Sequence, residues 1–362
     1  MTSKQNLIDQ ERFGRFISGF AVFDCAIGFA DERYAFLLVE YTSSPHRDPL
    51  PATRLLFSRL DRPLERRFYH LTASHLGFTR IAYHEVGAPE FVAVDTAGDV
   101  VSYSDATDGL EARIPSDVSE TRSGAYADVV RAGAHLYAVG GPRRIMRRVG
   151  TRWEEFSRGI PVTDDILNSV NVLQYIFRGL SAFSERDMYA VGGAGEVWRY
   201  DGARWHQCGF PSNELLYNVC CAADGKVYIG GNHGSLWVGR GDKWKRLAAD
   251  DFSVSWKDLA FFAGKLWLGS DYGLWELRDG AIIRAEVPED VLACSGALDV
   301  NVEGTVLLTA GGNGACRFDG HAWEVLFDTR AFGESYGRPI GQSDETEDDD
   351  DDDSDEEDDT AD

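Results

Sequence analysis

Hydrophobic residues of this chain recur in short alternating segments, most of which end in small residues. Alternation of apolar and polar positions is typical of a half-buried β-strand. The five clearest segments are HLYAVGG (135–141), DMYAVGG (187–193), KVYIGG (226–231), KLWLGS (265–270) and TVLLTAGG (305–312). A second apolar segment follows each of them, at 144–150, 196–202, 235–241, 274–280 and 315–320. The pattern predicts meanders of short antiparallel strands separated by glycine turns.

The spacing of glycines and aromatic residues places these segments in one register. A glycine precedes an aromatic or apolar residue by three positions at five places along the chain. These pairs are Gly150 and Trp153, Gly202 and Trp205, Gly241 and Trp244, Gly280 and Ile283, and Gly320 and Trp323. The glycines are 52, 39, 39 and 40 residues apart, so we expect an insertion near 159–175, where Thr163-Asp164-Asp165 permits a short helix.

The N-terminal third repeats the plan less regularly. The stretch 90–115 supplies three strands of one unit, and 16–72 supplies the strands of another. Repeats of this size must stack to bury both faces, and radial stacking leaves only short edges. We therefore predict an all-β chain with a single β-propeller of about seven four-stranded blades, six or eight being the alternatives. The predicted parts are a lead-in (1–14), the propeller (15–332), and a linker with a disordered acidic tail (333–362).

Two segments resemble known propeller repeats. The segment LWLGSDYGLWELRDG (266–280) is similar to the regulatory-type repeat in sensor domains of some bacterial signalling proteins. The Gly-Gly strand ends, followed by Tyr200 and Trp205, resemble kelch repeats, although the step from Tyr to Trp is shorter than in the kelch pattern. The resemblance implies the fold and leaves the function open, because propellers carry unrelated activities.

Charge divides the chain into two parts. The segment 344–362 has 15 acidic residues and no basic ones, and subtracting them from the net charge of −24 leaves −9 for the rest. A block of like charges cannot bury a core, so we expect a disordered tail that acts as a solubiliser, a lure for basic partners or a mimic of nucleic acid. The mildly acidic remainder gives no support for direct nucleic-acid binding.

Other classes of protein find no support in the sequence. Because the chain has no long apolar run and no secretory signal, we expect a cytoplasmic protein that does not enter a membrane. Six cysteines without C-x-x-C spacing predict neither a metal site nor a disulfide framework. Catalytic and cofactor-binding motifs are also missing, so we predict no catalytic residues and no cofactor. We expect the recurring tryptophans to pack between blades.

Two local features allow a functional and a plain interpretation. Ser270-Asp271-Tyr272-Gly273 resembles the Asp-box of some glycosidase propellers, but it occurs once and is also a simple Asp turn. The arginines 143, 144, 147, 148 and 152 could bind a phosphate or carboxylate, hold the acidic tail, or form a solvated strand edge. The Arg-rich stretch 54–70 has the same alternatives.

A partner-binding rim follows from the resemblance. In such folds, the turn after the second strand of each blade and the connection into the next blade lie on one rim, where binding residues concentrate. In this register the turns contribute Arg143, Arg144, Asn232, His233, Asp271, Tyr272 and Asn313. The connections contribute Asn213, Glu214, Tyr217, Asp250, Asp251, Trp256 and Lys257. This mixture suits a protein partner better than a small-molecule cleft.

Three functions are compatible with these features. The first is a non-enzymatic protein-binding propeller, in a specific form a bacterial immunity protein that neutralises a basic toxin. The second is a carbohydrate-active hydrolase or lyase with its site at the channel mouth, which would require carboxylates and an Arg or His to converge there. The third is a sensory or assembly propeller without its output domain.

Overall fold

Seven four-stranded antiparallel sheets form the body of the protein. The computed structural model describes residues 7–336, apart from 29–31, 42–50, 86–88, 107, 116–124, 168, 170–171 and 248–254. Each sheet contains four consecutive strands of the chain, and each blade packs against the blade that follows it. The seventh sheet also packs against the first, which closes the ring. The predicted propeller of seven four-stranded blades is therefore confirmed.

The strands follow in chain order from the centre of the ring to its outside. Blades 1 and 2 contain β1 (Phe20–Ile27), β2 (Arg33–Glu40), β3 (Thr53–Arg59), β4 (Phe68–Ala73), β5 (Thr79–His84), β6 (Glu90–Asp95), β7 (Val100–Ser104) and β8 (Asp108–Leu110). Blades 3 and 4 contain β9 (Tyr126–Ala132), β10 (His135–Gly140), β11 (Arg144–Val149), β12 (Arg152–Glu155), β13 (Phe177–Ser184), β14 (Asp187–Gly192), β15 (Glu196–Tyr200) and β16 (Trp205–Gln207). Blades 5 and 6 contain β17 (Leu216–Cys221), β18 (Val227–Gly231), β19 (Leu236–Arg240), β20 (Lys243–Leu247), β21 (Asp258–Phe262), β22 (Lys265–Ser270), β23 (Gly273–Arg278) and β24 (Ala281–Arg284). Blade 7 contains β25 (Ala297–Val300), β26 (Leu307–Gly311), β27 (Gly314–Phe318) and β28 (Trp323–Asp328).

Three short α-helices accompany the sheets in the described residues. Helix α1 (Gln10–Phe16) precedes blade 1, α2 (Asp164–Leu167) lies between blades 3 and 4, and α3 (Glu289–Ala293) lies between blades 6 and 7. Helix α2 occupies the insertion in which the sequence permits a helix. None of the helices in the described ranges is long and apolar enough to cross a membrane.

The small residues that end the second strands are required by a close approach of backbones. A Cβ atom at Gly140, Gly192 or Gly311 would collide with a carbonyl oxygen just before the first strand of the same blade. Only glycine lets the two strands approach there. In blades 3, 4 and 7 the Gly-Gly signal thus marks the point where the second strand reaches one face of the ring.

Aromatic and aliphatic side chains fill the spaces between blades. Trp198 and Trp205 are buried against residues of blade 3, including Tyr137 and Ile145. Trp237 packs in the same way in the layer between blades 4 and 5. The recurring tryptophans therefore belong to the core, as the sequence predicts.

The last blade meets the first through side chains and short segments. The described blades exchange no strand, since each sheet consists of its own four strands. The ring of Phe13 in α1 stacks on that of Phe332 after β28, with centroids 4.4 Å apart. The backbone N–H of Leu7 donates to the carbonyl oxygen of Leu326 in β28. The segments that flank the propeller thus cover the junction of blades 7 and 1.

Candidate functional site

One face of the ring carries the turns after the second strands and the connections between blades. Consecutive antiparallel strands bring both kinds of segment to the same side of the ring. We call this side the loop face. The predicted rim residues of the described ranges lie at this face, on the turns or at the strand ends beside them. Asp250 and Asp251 lie outside the described residues. The rest differ in how much surface they offer to a partner.

Arg143 and Arg144 are engaged inside the structure. The Arg143 guanidinium forms an ion pair with the buried carboxylate of Glu196 and lies over the ring of Trp198. The Arg144 side chain is buried and donates to the carbonyl oxygen of Pro115 at 2.6 Å. Both residues connect neighbouring segments of the loop face, so their guanidinium groups are already engaged in contacts within the protein.

Two other rim residues also make internal contacts. The Glu214 carboxylate accepts hydrogen bonds from Ser235 Oγ at 2.6 Å and from Trp237 Nε1 at 2.5 Å. Trp256 is 2% exposed, and its indole Nε1 donates to the carbonyl oxygen of Gly234. Glu214 holds the connection between blades 4 and 5 against blade 5, and Trp256 holds the connection between blades 5 and 6 against the same blade.

The remaining rim residues of the described ranges differ in exposure. Tyr272, Asn213 and His233 are exposed, and His233 adopts a positive φ of 53° in its turn. The Lys257 side chain is 10% exposed, and its Nζ pairs at 2.8 Å with Asp271 in the turn after β22 of the same blade. Asn313 accepts a hydrogen bond from the backbone N–H of Tyr336 at 2.9 Å. Tyr217 lies under the guanidinium of Arg178.

The arginine cluster is largely structural. Arg148 is 2% exposed, and its guanidinium donates to Glu90 and Glu111 of blade 2. His84 Nε2 lies 2.7 Å from the same Glu90 carboxylate. The side chain of Arg147 is only partly buried, 3.6 Å from Glu154. Alternation along β11 therefore places Arg144 and Arg148 inside and Arg147 nearer the surface.

A polar cavity of about 580 Å³ occupies the centre of the ring. The first strands of the blades line it and contribute the carboxylates of Asp24, Asp128, Asp258 and Asp299. The first strand of each blade has one open edge, and the N–H groups along that edge need acceptors. Aspartates at these positions supply such acceptors.

Three of the four carboxylates join adjacent blades. Asp24 accepts from the N–H of Ile81 at 3.0 Å, and Asp258 accepts from the N–H of Leu298 at 3.2 Å. Asp299 accepts from the N–H of Ile27 at 2.8 Å. Each of them also accepts from the N–H of the residue that follows it. These hydrogen bonds tie blade 1 to 2, blade 6 to 7 and blade 7 to 1.

The enclosed position of these carboxylates changes their titration. Desolvation raises the pKa of Asp258 to about 7 and that of Asp299 to about 6. Desolvation also raises the pKa of Asp24, and it raises that of Asp128 well above the ordinary value. Some of the four aspartates, Asp258 among them, are therefore partly protonated near neutral pH.

Cationic side chains cross the channel above and below the aspartates. Arg131 of blade 3 donates to the carbonyl oxygen of Val300 in blade 7 at 2.8 Å. At the loop-face mouth, Lys257 of blade 6 lies 5.0 Å from the ring centroid of Phe23 in blade 1. Neither pair belongs to adjacent blades, so both contacts span the opening.

This convergence of carboxylates and arginine is the arrangement that the hydrolase hypothesis requires. Raised pKa values also occur at catalytic sites. However, Asp24, Asp258 and Asp299 each direct both carboxylate oxygens at backbone N–H groups of the first strands. These oxygens are committed to holding the ring, so the channel geometry favours a structural role.

Sequence reasoning did not single out the channel aspartates. Their signal is a charged residue inside an otherwise apolar first strand, as in FAVFDCAI of β1 and ALDV of β25. A lone acidic residue in such a strand is costly unless it finds a partner. The repetition of this feature in several blades was the available clue.

The cysteines and the possible metal ligands offer no reactive centre in the described part of the chain. All six cysteines are free thiols, and desolvation raises the pKa of Cys208 to about 11 and that of Cys220 to about 12. Thiols with such pKa values are poor nucleophiles at neutral pH. Among the described residues, no group of three His, Cys, Asp or Glu side chains is arranged to hold a metal ion.

The fold and the site together define a seven-bladed propeller with a rigid loop face and a channel held by its own polar groups. No family model matches the chain. It is 30% identical over 191 residues to the immune protein Tsi7 of Pseudomonas aeruginosa, a stretch that covers 52% of this chain and 59% of that protein. The chain therefore spans less than two thirds of the length of this relative.

A solved structure shares the fold. YCF48 from Cyanidioschyzon merolae superposes with a TM-score of 0.56, covering 83% of this chain and 96% of that one. The two sequences are 11% identical, so the likeness concerns the fold alone. It supports a β-propeller in general, while the kelch-like character of the repeats stays a prediction.

Proposed function

We propose that this chain is an immunity protein that binds a protein toxin through its loop face and neutralises it. The observation that carries the proposal is the 30% identity with an immune protein over 191 residues. The sequence by itself favours the same function, as a non-enzymatic binding propeller. We propose the cytoplasm as the place of neutralisation, because the sequence predicts the protein to be there.

The geometry supports binding in preference to catalysis. A propeller holds its loops on a rigid ring, and such loops suit the recognition of a protein surface. The channel carboxylates satisfy backbone N–H groups, and Arg131 crosses the cavity below them. A substrate in the channel would have to displace these contacts.

The charge of the protein supports a basic partner. The net charge of −24 would steer a basic protein towards this chain over long distances. Exposed carboxylates also lie on the loop face, among them Asp164, Asp165, Glu286 and Glu289. A nucleic acid would be repelled by the same charges.

The test begins with the partner itself. The tagged full-length protein and a version ending at Gly341 are purified from the cells that produce the protein, and bound proteins are identified by mass spectrometry. The captured protein is then expressed alone and together with this chain in a sensitive host. We expect the partner alone to arrest growth and co-expression to restore it.

Two results would contradict the proposal. One is a partner that is harmless when expressed alone, and the other is growth arrest that co-expression does not relieve. A variant with its loop face intact but with Arg152→Ala on the outer strand β12 is the matched control, since Arg152 is exposed and distant from this face. It should protect as well as the natural sequence.

A further inference from the structure

The described part of the chain has few large exposed hydrophobic side chains, and they are distributed unevenly over its surface. In the described ranges, those at least 37% exposed are Tyr41, Tyr69, Phe78, Leu110, Val162, Tyr272 and Val302. Four of them, Tyr41, Phe78, Val162 and Tyr272, lie on the loop face. Tyr69 and Leu110 lie on outer strands, and Val302 lies in a turn of the opposite face. In the described ranges, the loop face therefore exposes more large hydrophobic side chains than the opposite face.

Phe78 and Tyr272 flank the channel mouth and are linked across it. The ring of Phe78 lies 6.3 Å from that of Phe23 at the start of the channel. The Lys257 ammonium lies over the same Phe23 ring and pairs with Asp271, which precedes Tyr272 in the chain. The contacts form one continuous path from blade 2 to blade 6. We call Phe23, Phe78, Lys257, Asp271 and Tyr272 the mouth cluster.

The loop that presents Phe78 is rigid. The Asp95 carboxylate is 2% exposed and accepts from the backbone N–H groups of Gly77, Ala97 and Asp99. The carbonyl oxygen of Phe78 accepts from the N–H of Thr96 at 2.9 Å. The backbone thus holds a phenylalanine that is 63% exposed in a fixed position. Such preorganisation lowers the entropy cost of binding.

The turn that presents Tyr272 is held in a similar way. Ser270 is buried, and its Oγ accepts from the N–H of Tyr272 at 3.1 Å. The ion pair of Lys257 with Asp271 fixes the other side of the turn. Tyrosine anchors near the centre of a surface typically contribute much of the binding energy of an interface.

Acidic groups surround the mouth cluster at a distance. Asp164 and Asp165 in α2 lie between blades 3 and 4, while Glu286 and Glu289 lie between blades 6 and 7. All four are exposed on the loop face. Charge complementarity therefore requires a partner with basic side chains around an apolar recess.

We infer that the toxin docks over the channel mouth, with Phe78 and Tyr272 inserted into an apolar recess and the outer carboxylates facing basic groups. This inference rests on the proposed function and names the part of the loop face that makes the contact. The resulting interface would have aromatic contacts at its centre and charge pairs at its edge, which is the usual arrangement in protein interfaces.

The test compares matched pairs of exposed apolar residues. Affinity for the partner captured above is measured by calorimetry for the natural chain, for F78S with Y272S, and for the control L110S with V302S. Loss of two central anchors should weaken binding at least about 30-fold, while the control should stay within about 3-fold. All four positions are exposed, so circular dichroism and denaturant unfolding should be alike for the two double variants.

The contribution of the outer carboxylates is measured separately, through the rate of association. We expect E286Q with E289Q to slow association and to reduce its dependence on salt, because exposed charges act mainly on the association rate. Binding that is unchanged in F78S with Y272S, or lost in the control pair, overturns the docking inference while the immunity function stands. If no partner is captured at all, the proposed function and this inference fail together.

Discussion

The carboxylate of Asp299 in β25 accepts a hydrogen bond from the backbone N–H of Ile27 in β1 at 2.8 Å. This contact joins the last blade to the first. Asp24 makes the equivalent bridge between blades 1 and 2, and Asp258 makes it between blades 6 and 7. The junction at which the ring closes thus uses the same device as junctions inside the ring. Closure does not depend on an exchanged strand in the described blades.

Removal of the closing carboxylate should weaken the junction. In Asp299→Ala, the N–H groups of Ile27 and Val300 lose an acceptor, and a buried unsatisfied donor costs about 1–3 kcal/mol. We expect a lower free energy of unfolding in urea and faster hydrogen exchange in β1 and β25. Asp299→Asn keeps an amide oxygen as acceptor and should lose less. Unchanged stability in Asp299→Ala would show that the hydrogen bond is unimportant.

The channel aspartates also predict a dependence of stability on pH. The folded-state pKa of Asp258 is about 7, well above its ordinary value of 3.8. Between these two values the folded protein holds a proton that the unfolded chain has released. The resulting stabilisation is present at low pH and is lost as the pH rises through about 7, with an upper limit of ~4 kcal/mol.

Asp258→Asn provides the measurement for this dependence. The variant cannot titrate at this position, so its unfolding free energy should fall less between about pH 5 and about pH 8 than that of the natural chain. Asp164→Asn, an exposed acidic residue on the loop face, serves as the control and should leave the slope unchanged. A slope that is identical in Asp258→Asn would mean that Asp258 is ionised in the folded state at all of these pH values.

The sequence predicts the blades well because their signals are local. A glycine followed three residues later by a tryptophan, as in Gly202 and Trp205, repeats in four of the five regular blades, and the fifth has Ile283 at that position. Blade 1 lacks the Gly-Gly end, since β2 ends at Glu40, and the strands of this blade are therefore harder to predict from the sequence. The resemblance placed the rim residues on one face, and the alternating direction of the strands explains why they share it.

The interactions of the site are harder to predict because they join distant positions. Arg143 and Glu196 are 53 residues apart in the chain, and Arg148 and Glu90 are 58 apart. Periodicity cannot show which carboxylate an arginine meets across a blade junction. For this reason the arginine cluster allows both ligand-binding and structural interpretations in the sequence, and only the structure distinguishes them.

Arg148 should be the costliest arginine of the cluster to replace. Its removal in Arg148→Met leaves Glu90 and Glu111 without their shared cation in a buried position. Breaking a buried ion pair from one side typically costs about 3–5 kcal/mol. The exposed Arg152 on the next strand offers the matched control, and Arg152→Ala should change stability by less than about 0.5 kcal/mol. Similar unfolding midpoints for the two variants would contradict the structural role of Arg148.

The segment after β28 should act as a strap across the ring junction. Glu334 accepts from the backbone N–H of Gly19 at 3.1 Å, and Tyr336 Oη accepts from the same N–H at 2.7 Å. Phe332 stacks on Phe13 of α1, so the strap binds the segment that leads into blade 1.

A chain ending at Tyr336 keeps all of these contacts, whereas a chain ending at Asp328 loses them. We expect the first to unfold at the same urea concentration as the full chain, because a run of acidic residues buries no core. The second should be less stable by about 2–5 kcal/mol, as for the loss of a large buried side chain, with faster hydrogen exchange in α1 and β1. If both truncated chains unfold alike, the strap does not stabilise the junction, and the bridge between Asp299 and Ile27 with the packing around it must close the ring alone.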